Sequence, residues 1–306
     1  MTTNSINNNS SSLTVSNLSL TGSTVATIST NSNLILAPNG TGAVSIKSVY
    51  TLPTADGSAN QLLQTNGSGA VSFVTSQSFS SIETQTFTSS GTYTPTSGMV
   101  YCIIEVCGGG GGGAGAPATG AGQTSVGAPG SGGGYAKGIY DAATIGASQT
   151  VTIGAGGTAG NSTTAGSTGG TTSVGSLLSA TGGGGGNVNG SLSVAATACS
   201  SSAAPGAGTG GYFQANGEWP SFAFGYTAGG SSFGNNGVAG LSYLGRTAGL
   251  PFIANERSTS KSYPGTNAPS NEYGTGGGGS LNLPSQSAVN GGTGAPGVVI
   301  VTEYIR

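Results

Sequence analysis

Six consecutive glycines, Gly108 to Gly113, follow directly on an apolar run, Met99-Val-Tyr-Cys-Ile-Ile-Glu-Val106. Similar clusters recur at Gly132 to Gly134, Gly182 to Gly186 and Gly276 to Gly279. Between them lie short β-type runs such as Gln149-Thr-Val-Thr-Ile153 and Gly297-Val-Val-Ile-Val-Thr-Glu-Tyr304. Glycine tolerates positive φ and close backbone approach, but it loses more entropy on ordering than any other residue. A chain that repeats such segments is either disordered or packs backbone against backbone. The strand-like runs around the clusters favour packing. The expectation is a small β-scaffold that presents long glycine loops, an architecture for surface presentation and not for an enclosed pocket.

Composition narrows this further. There are 61 glycines in 306 residues, about three times an average usage of roughly 7%. Charged residues make up 5% and the net charge is −2, so there is no electrostatic footprint for nucleic acid or an anionic membrane. Ser, Thr, Asn and Gly supply a neutral polar surface instead. Disorder is the competing reading of Gly/Ser-rich tracts. Against it stand a hydrophobic fraction of 35%, 11 Tyr and 8 Phe, which disordered chains lack.

The chain has no histidine. That removes Ser-His-Asp and Cys-His catalysis and imidazole-ligated metals. Of the three cysteines, Cys102 and Cys107 fall on opposite sides of one strand and cannot bridge. They read as small core residues or unpaired thiols, and no metal or cofactor is expected. No Gly-Lys-Ser/Thr or GxGxxG opening a helix accompanies the glycine runs, so a nucleotide cradle is disfavoured. The N-terminus, Met-Thr-Thr-Asn-Ser-Ile-Asn-Asn-Asn9, lacks the basic and apolar regions of a secretory signal. No apolar run approaches the length of a membrane span. Synthesis in a host cytoplasm followed by exposure on a virion reconciles these features.

Along the chain, residues 1–12 read as a polar tail. Residues 13–80 read as short β-segments with frequent turns, Asn66-Gly67 among them. This stretch is too poor in apolar residues to bury its own core, so it needs partner strands from other copies. Residues 81–306 read as one glycine-rich domain, opened by the strand at 99–106 and closed by the strand at 298–305, the two being neighbours in one sheet. Their near-continuous apolar character suits central strands covered on both faces. Tyr135 to Tyr140, Val151 to Ile153 and Val174 to Ala180 are further expected strands. Residues 187–275 hold the only Trp and show no clean period, so they read as a long insertion of loops.

Two motif groups resemble bacteriophage tail fibre proteins. The first is Asn33-Leu-Ile-Leu-Ala-Pro-Asn-Gly-Thr-Gly-Ala-Val44 followed by Leu52-Pro-Thr-Ala-Asp-Gly and Asn66-Gly-Ser-Gly69, with Phe73 where Trp is common in fibre shafts. The second is Ser90-Gly-Thr-Tyr-Thr-Pro95, the strand with its glycine run, Gly132-Gly-Gly-Tyr-Ala-Lys-Gly138, Val151-Thr-Ile-Gly-Ala-Gly-Gly157 and Gly294-Ala-Pro-Gly-Val-Val-Ile-Val301. It is similar to the glycine-rich domain at the ends of many phage fibres. The resemblance implies an all-β fold: an elongated trimeric β-shaft followed by a glycine-rich, sandwich-like knob with long loops. It implies a homotrimer whose N-terminal part meets virion tail or baseplate proteins. The C-terminal part would meet a host surface polysaccharide or outer-membrane protein.

The expected function is host attachment, without catalysis. A purely structural virion fibre or decoration protein is the alternative. A polysaccharide depolymerase would need paired carboxylates, and Glu218, Glu256 and Glu272 are the only acids in 187–275; they read as exposed loop residues. Aromatic and Arg side chains are the usual binding anchors. The receptor contact is therefore placed on Trp219, Phe222, Phe224 and Tyr226, with Tyr212, Tyr243 and Arg246 as lesser candidates.

Overall fold

The computed structural model describes residues 41, 43–46, 50–76, 79–192, 197–199, 204–228, 231–245, 253–254 and 261–306. The expected tail at 1–12, the segments at 13–40 and Arg246 lie outside the described residues. The chain divides into two units, Met1–Gln77 and Ser78–Arg306.

In the first unit, Gln61–Thr65 pairs antiparallel with Val71–Thr75. The expected turn joins them. The Asn66 side-chain oxygen accepts the N–H groups of Ser68 and Ala70, and Gly67 and Gly69 take positive φ. Leu62 and Leu63, on opposite faces of this hairpin, are both exposed. A lone two-stranded hairpin is marginal in water.

The second unit is built on two five-stranded antiparallel sheets. In the first, Met99–Cys107 lies between Tyr135–Asp141 and Val298–Ile305, flanked by Phe213–Ala215 and Ser81–Phe87. The opening and closing strands are indeed neighbours, in register from Val298 opposite Cys107 to Tyr304 opposite Tyr101. In the second sheet the order is Gly208–Gly210, Leu178–Ala180, Thr172–Val174, Gln149–Thr152, Gly91–Tyr93. The run 174–180, read as one strand, is a hairpin: Gly175 takes a φ of 49° and turns the chain between Thr172–Val174 and Leu178–Ala180. Alternate residues of both sheets meet in one core of Tyr93, Cys102, Ile104, Val106, Val151, Val174, Leu178, Val299 and Val301, among others.

That core contains one acid. Glu303 is fully buried. Its carboxylate accepts Tyr93 Oη at 2.7 Å, the Thr96 N–H at 3.0 Å and Thr96 Oγ1 at 2.6 Å, with Gln85 Nε2 at 3.4 Å. Burial alone would push its carboxyl up, but the hydrogen bonds from Thr96, Tyr93 and Gln85 outweigh it and hold the group below the usual carboxylate range. Cys102 and Cys107 are free and buried, and burial pushes each thiol up to about 11.

The glycine clusters are not loops. The clusters at 108–113 and 182–186 follow a sandwich strand and that at 132–134 leads into one, each forming an extended rod; Gly276–Gly279 runs beside them and leads into Ser280–Asn282. The rod at 108–116 donates its N–H groups in strict rotation. Gly108, Gly111 and Ala114 donate to Gly134, Ser131 and Ala128. Gly109, Gly112 and Gly115 donate to Gly170, Ser167 and Thr164. Gly110, Gly113 and Ala116 donate to Ala295, Gly292 and Val289. A partner that changes every residue and returns every third one requires three residues per turn with no internal bond, the geometry of a polyproline II helix. Its carbonyls accept from three further rods: Gly157 and Gly160, Gly183 and Gly186, and Gly277. The central rod is thus ringed by six others.

This packing explains the glycines. A Cβ on Gly108 or Gly111 would fall within 3.0 Å of carbonyls in the rod at 181–184. Gly109 and Gly112 would meet Ala155 and Thr158 in the same way, and Gly110 and Gly113 would meet Thr275 and Gly278. All three faces of the central rod are blocked, so it must be glycine at every position of the run. None of these six residues has a positive φ. The requirement is lateral clearance, not left-handed backbone. Peripheral rods have a free side and carry Ala155, Thr158, Ala165 and Thr168 there.

At the far end of the rods sits a small cap. One sheet orders Val188–Leu192, Thr124–Gly127, Ser280–Asn282 and Ser262–Tyr263; another orders Thr197–Cys199, Ala223–Ala228, Ser231–Asn235 and Ile253–Ala254. Val126, Ala128, Ala223, Tyr263, Leu281 and Leu283 form its core. The stretch 187–275, expected as loops, therefore supplies strands to both ends of the domain. Because the core, rods and cap all lie within Ser78–Arg306, a chain starting at Ser78 is expected to fold alone. Its melting transition should match that of the same domain in the full-length protein, as followed by circular dichroism; loss of the transition would contradict the division.

Candidate functional site

The hairpin Ala223–Ala228/Ser231–Asn235 carries the exposed rings. Alternate side chains of a strand face opposite ways. Ala223 is buried, and Gly225 and Gly234 face Thr124 and Leu281 of the cap with no room for a larger residue at Gly234. Phe224 and Tyr226 consequently point outward. Tyr226 sits directly opposite Phe233, ring centroids 4.9 Å apart. Phe224 lies diagonally from Phe233 at 6.0 Å, and Phe222 lies 6.0 Å from Phe224. The result is one continuous aromatic stripe on a flat hairpin. Trp219 and Phe222 are each 59% exposed.

The other expected anchors lie elsewhere. Tyr243 stacks on Tyr135 at 4.2 Å and lies 5.6 Å from Phe213. Tyr135 and Phe213 are in sandwich strands, at the opposite end of the rod 128–134 from the cap residue Ala128. Seven residues at about 3.1 Å each separate the two ends by about 20 Å. Tyr212, beside Phe213, is exposed at the sandwich end. Trp219 belongs to neither ring set among the described residues. The structure therefore gathers Phe222, Phe224 and Tyr226, adds Phe233, and leaves Tyr212 and Tyr243 apart. Phe233 was missed because its partner strand was not read from the sequence. The alternation Phe222, Phe224, Tyr226 against Ala223, Gly225, Thr227 is a local period of 2, the signal that would have marked this strand.

Polar groups near the sandwich-end rings are paired. Glu105 accepts the Tyr135 hydroxyl and lies 3.3 Å from Lys137 Nζ. Burial, then the bond to Glu105, pushes the Tyr135 hydroxyl well above its ordinary value. Of the acids weighed for hydrolysis, Glu218 is exposed, Glu272 is buried and accepts Thr275 Oγ1 at 3.2 Å, and Glu256 lies outside the described residues. No group of three or more His, Cys, Asp or Glu able to hold a metal occurs among the described residues, and no described helix is long and apolar enough to cross a membrane.

A family profile described as a glycine-rich domain matches residues 83–304, more than two thirds of the 306 residues. The matched span includes 187–275. No curated protein matches the chain.

Proposed function

The chain belongs to this glycine-rich domain family, and from that premise we propose that it is a host-attachment fibre of a bacteriophage virion. The observation that carries the proposal is the aromatic stripe held on a rigid rod bundle, far from the strands where the domain begins and ends. Rings pre-set on a hairpin stack on sugar faces or pack on an apolar protein surface with little ordering cost. The near absence of charge fits a neutral glycan or the rim of an outer-membrane protein. The tail fibre resemblance of 33–73 supports a virion-proximal N-terminal part, and the thin hairpin of the first unit supports a homotrimer that supplies the missing neighbours.

The test is a combined Phe222→Ala, Phe224→Ala and Phe233→Ala variant. Adsorption to host cells is expected to weaken at least tenfold, about 1.4 kcal/mol. Melting should be unchanged, because the opposite face of the hairpin makes the cap contacts. Normal adsorption by a folded triple variant would remove the hairpin from the proposal. Trp219→Ala, tested separately, reports whether the contact extends down the rods.

A further inference from the structure

The two outer faces of the sandwich are unlike. On the second sheet the outward residues run Thr92, Thr150, Thr152, Ser173, Ser179 and Thr209 across paired strands. Every one is a hydroxyl residue, as a solvated face requires. On the first sheet the matching positions form three cross-strand rows. Ile82, Tyr304, Tyr101 and Asp141 make the first; Thr84, Thr302, Ile103 and Ile139 the second; Thr86, Ile300, Glu105 and Lys137 the third.

Among the described residues, nothing in the domain covers these rows. Ile82 is 61% exposed and Ile139 54%. Phe79 lies edge-on to Tyr101 and Tyr304 at one corner, and Tyr212, Phe213 and Tyr243 rim the opposite side, all exposed. The expectation that both central strands are covered on both faces fails here: their outer residues are only partly buried. A contiguous apolar patch of this kind marks an interaction surface.

We infer that this face is the contact surface between copies of the chain. The inference rests on the oligomeric part of the reading above and names the surface that would serve it. Three features select an identical copy as occupant. The charges on the face nearly cancel: Glu105 pairs with Lys137, which leaves only Asp141 at the end of one row, its carboxylate accepting the Thr144 N–H. Identical faces therefore meet with little like-charge conflict, while a nucleic acid or an anionic membrane finds no cationic patch. Four strands about 4.8 Å apart and seven residues long present about 450 Å² in plan before the rim rings are added. That is the order of the roughly 800 Å² of accessible surface per partner in a stable interface. Finally, the twin sheet shows how this same sandwich builds a face meant for water, and the first sheet is not built that way.

The test uses the full-length chain. Sedimentation should give a mass that is a multiple of 29.0 kDa. Ile82→Cys and Ile139→Cys, each treated with a short bis-maleimide, should yield covalent oligomers on a denaturing gel. Thr150→Cys, on the hydroxyl face, should behave as the parent chain does. An oligomer by sedimentation with no cross-link from either variant, or equal cross-linking from Thr150→Cys, overturns the surface while leaving the oligomer. A monomer overturns both.

Discussion

Gly111→Ala is expected to lower the melting temperature of the domain by about 10 °C. The new methyl would fall within 3.0 Å of backbone atoms of Gly184. A flexible side chain could swing aside, but here the obstacle is main chain, itself bonded to Ala204 and Ser131. Overpacking a rigid site costs about 1–3 kcal/mol or more, and about 3 kcal/mol in a domain of this size is about 6–12 °C. Gly91→Ala is the matched control. Gly91 has nothing within 4 Å of the added carbon and no positive φ, so its substitution should leave melting unchanged or slightly raised. Thermal scans of the two variants side by side decide the matter. If they melt together, the rods are not packed as described.

The second large effect is at Glu303. Glu303→Ala removes the main acceptor of the buried Tyr93 hydroxyl and of both donors of the half-buried Thr96. Each orphaned donor costs about 1–3 kcal/mol, so a loss of roughly 4 kcal/mol is expected at neutral pH. The carboxyl is held below its unfolded value, and the sign follows. Its contribution is fully present above the unfolded pKa of about 4.3 and is lost as pH falls through the lower folded value. Urea titrations of parent and variant at pH 7 and at pH 3 should therefore show a gap that narrows in acid. A gap independent of pH would mean that the charge is not what the network stabilises.

Legibility in the sequence followed side-chain pattern. The strands at 99–107 and 298–305 could be read because their alternation is visible, and the same alternation puts Glu303 on the face shared with Val299 and Val301. The rods could not be read as rods. A period of three is written by the residues a helix tolerates on its free side, and the central run Gly108 to Gly113 has no free side. Peripheral rods do carry the trace: Gly166 and Gly169 face inward toward the central rod, and Ala165 and Thr168, one residue before each, face outward. The same residue type thus signals a loop or an interior according to the spacing of its neighbours. The candidate site was half legible. Phe222, Phe224 and Tyr226 were found from density of rings, while Tyr212 and Tyr243 were grouped with them by sequence distance alone, and a chain that runs up and down along rods separates what sequence places together.

The rods also bear on how the domain carries force. The first and last strands, Ser81–Phe87 and Val298–Ile305, both end in the sandwich, and the aromatic hairpin is at the far end of the bundle. Tension between the two runs parallel to every rod. Lateral hydrogen bonds between rods are then loaded in shear, many at once, and cannot be opened one after another as in a peeled hairpin. Slipping a rod by one residue would break its whole row of bonds and drive Cα hydrogens onto carbonyls in all directions. The glycine bundle is in mechanical terms a cable: compliant side chains are absent from its interior, and a pull on the tip reaches the base with little stretch.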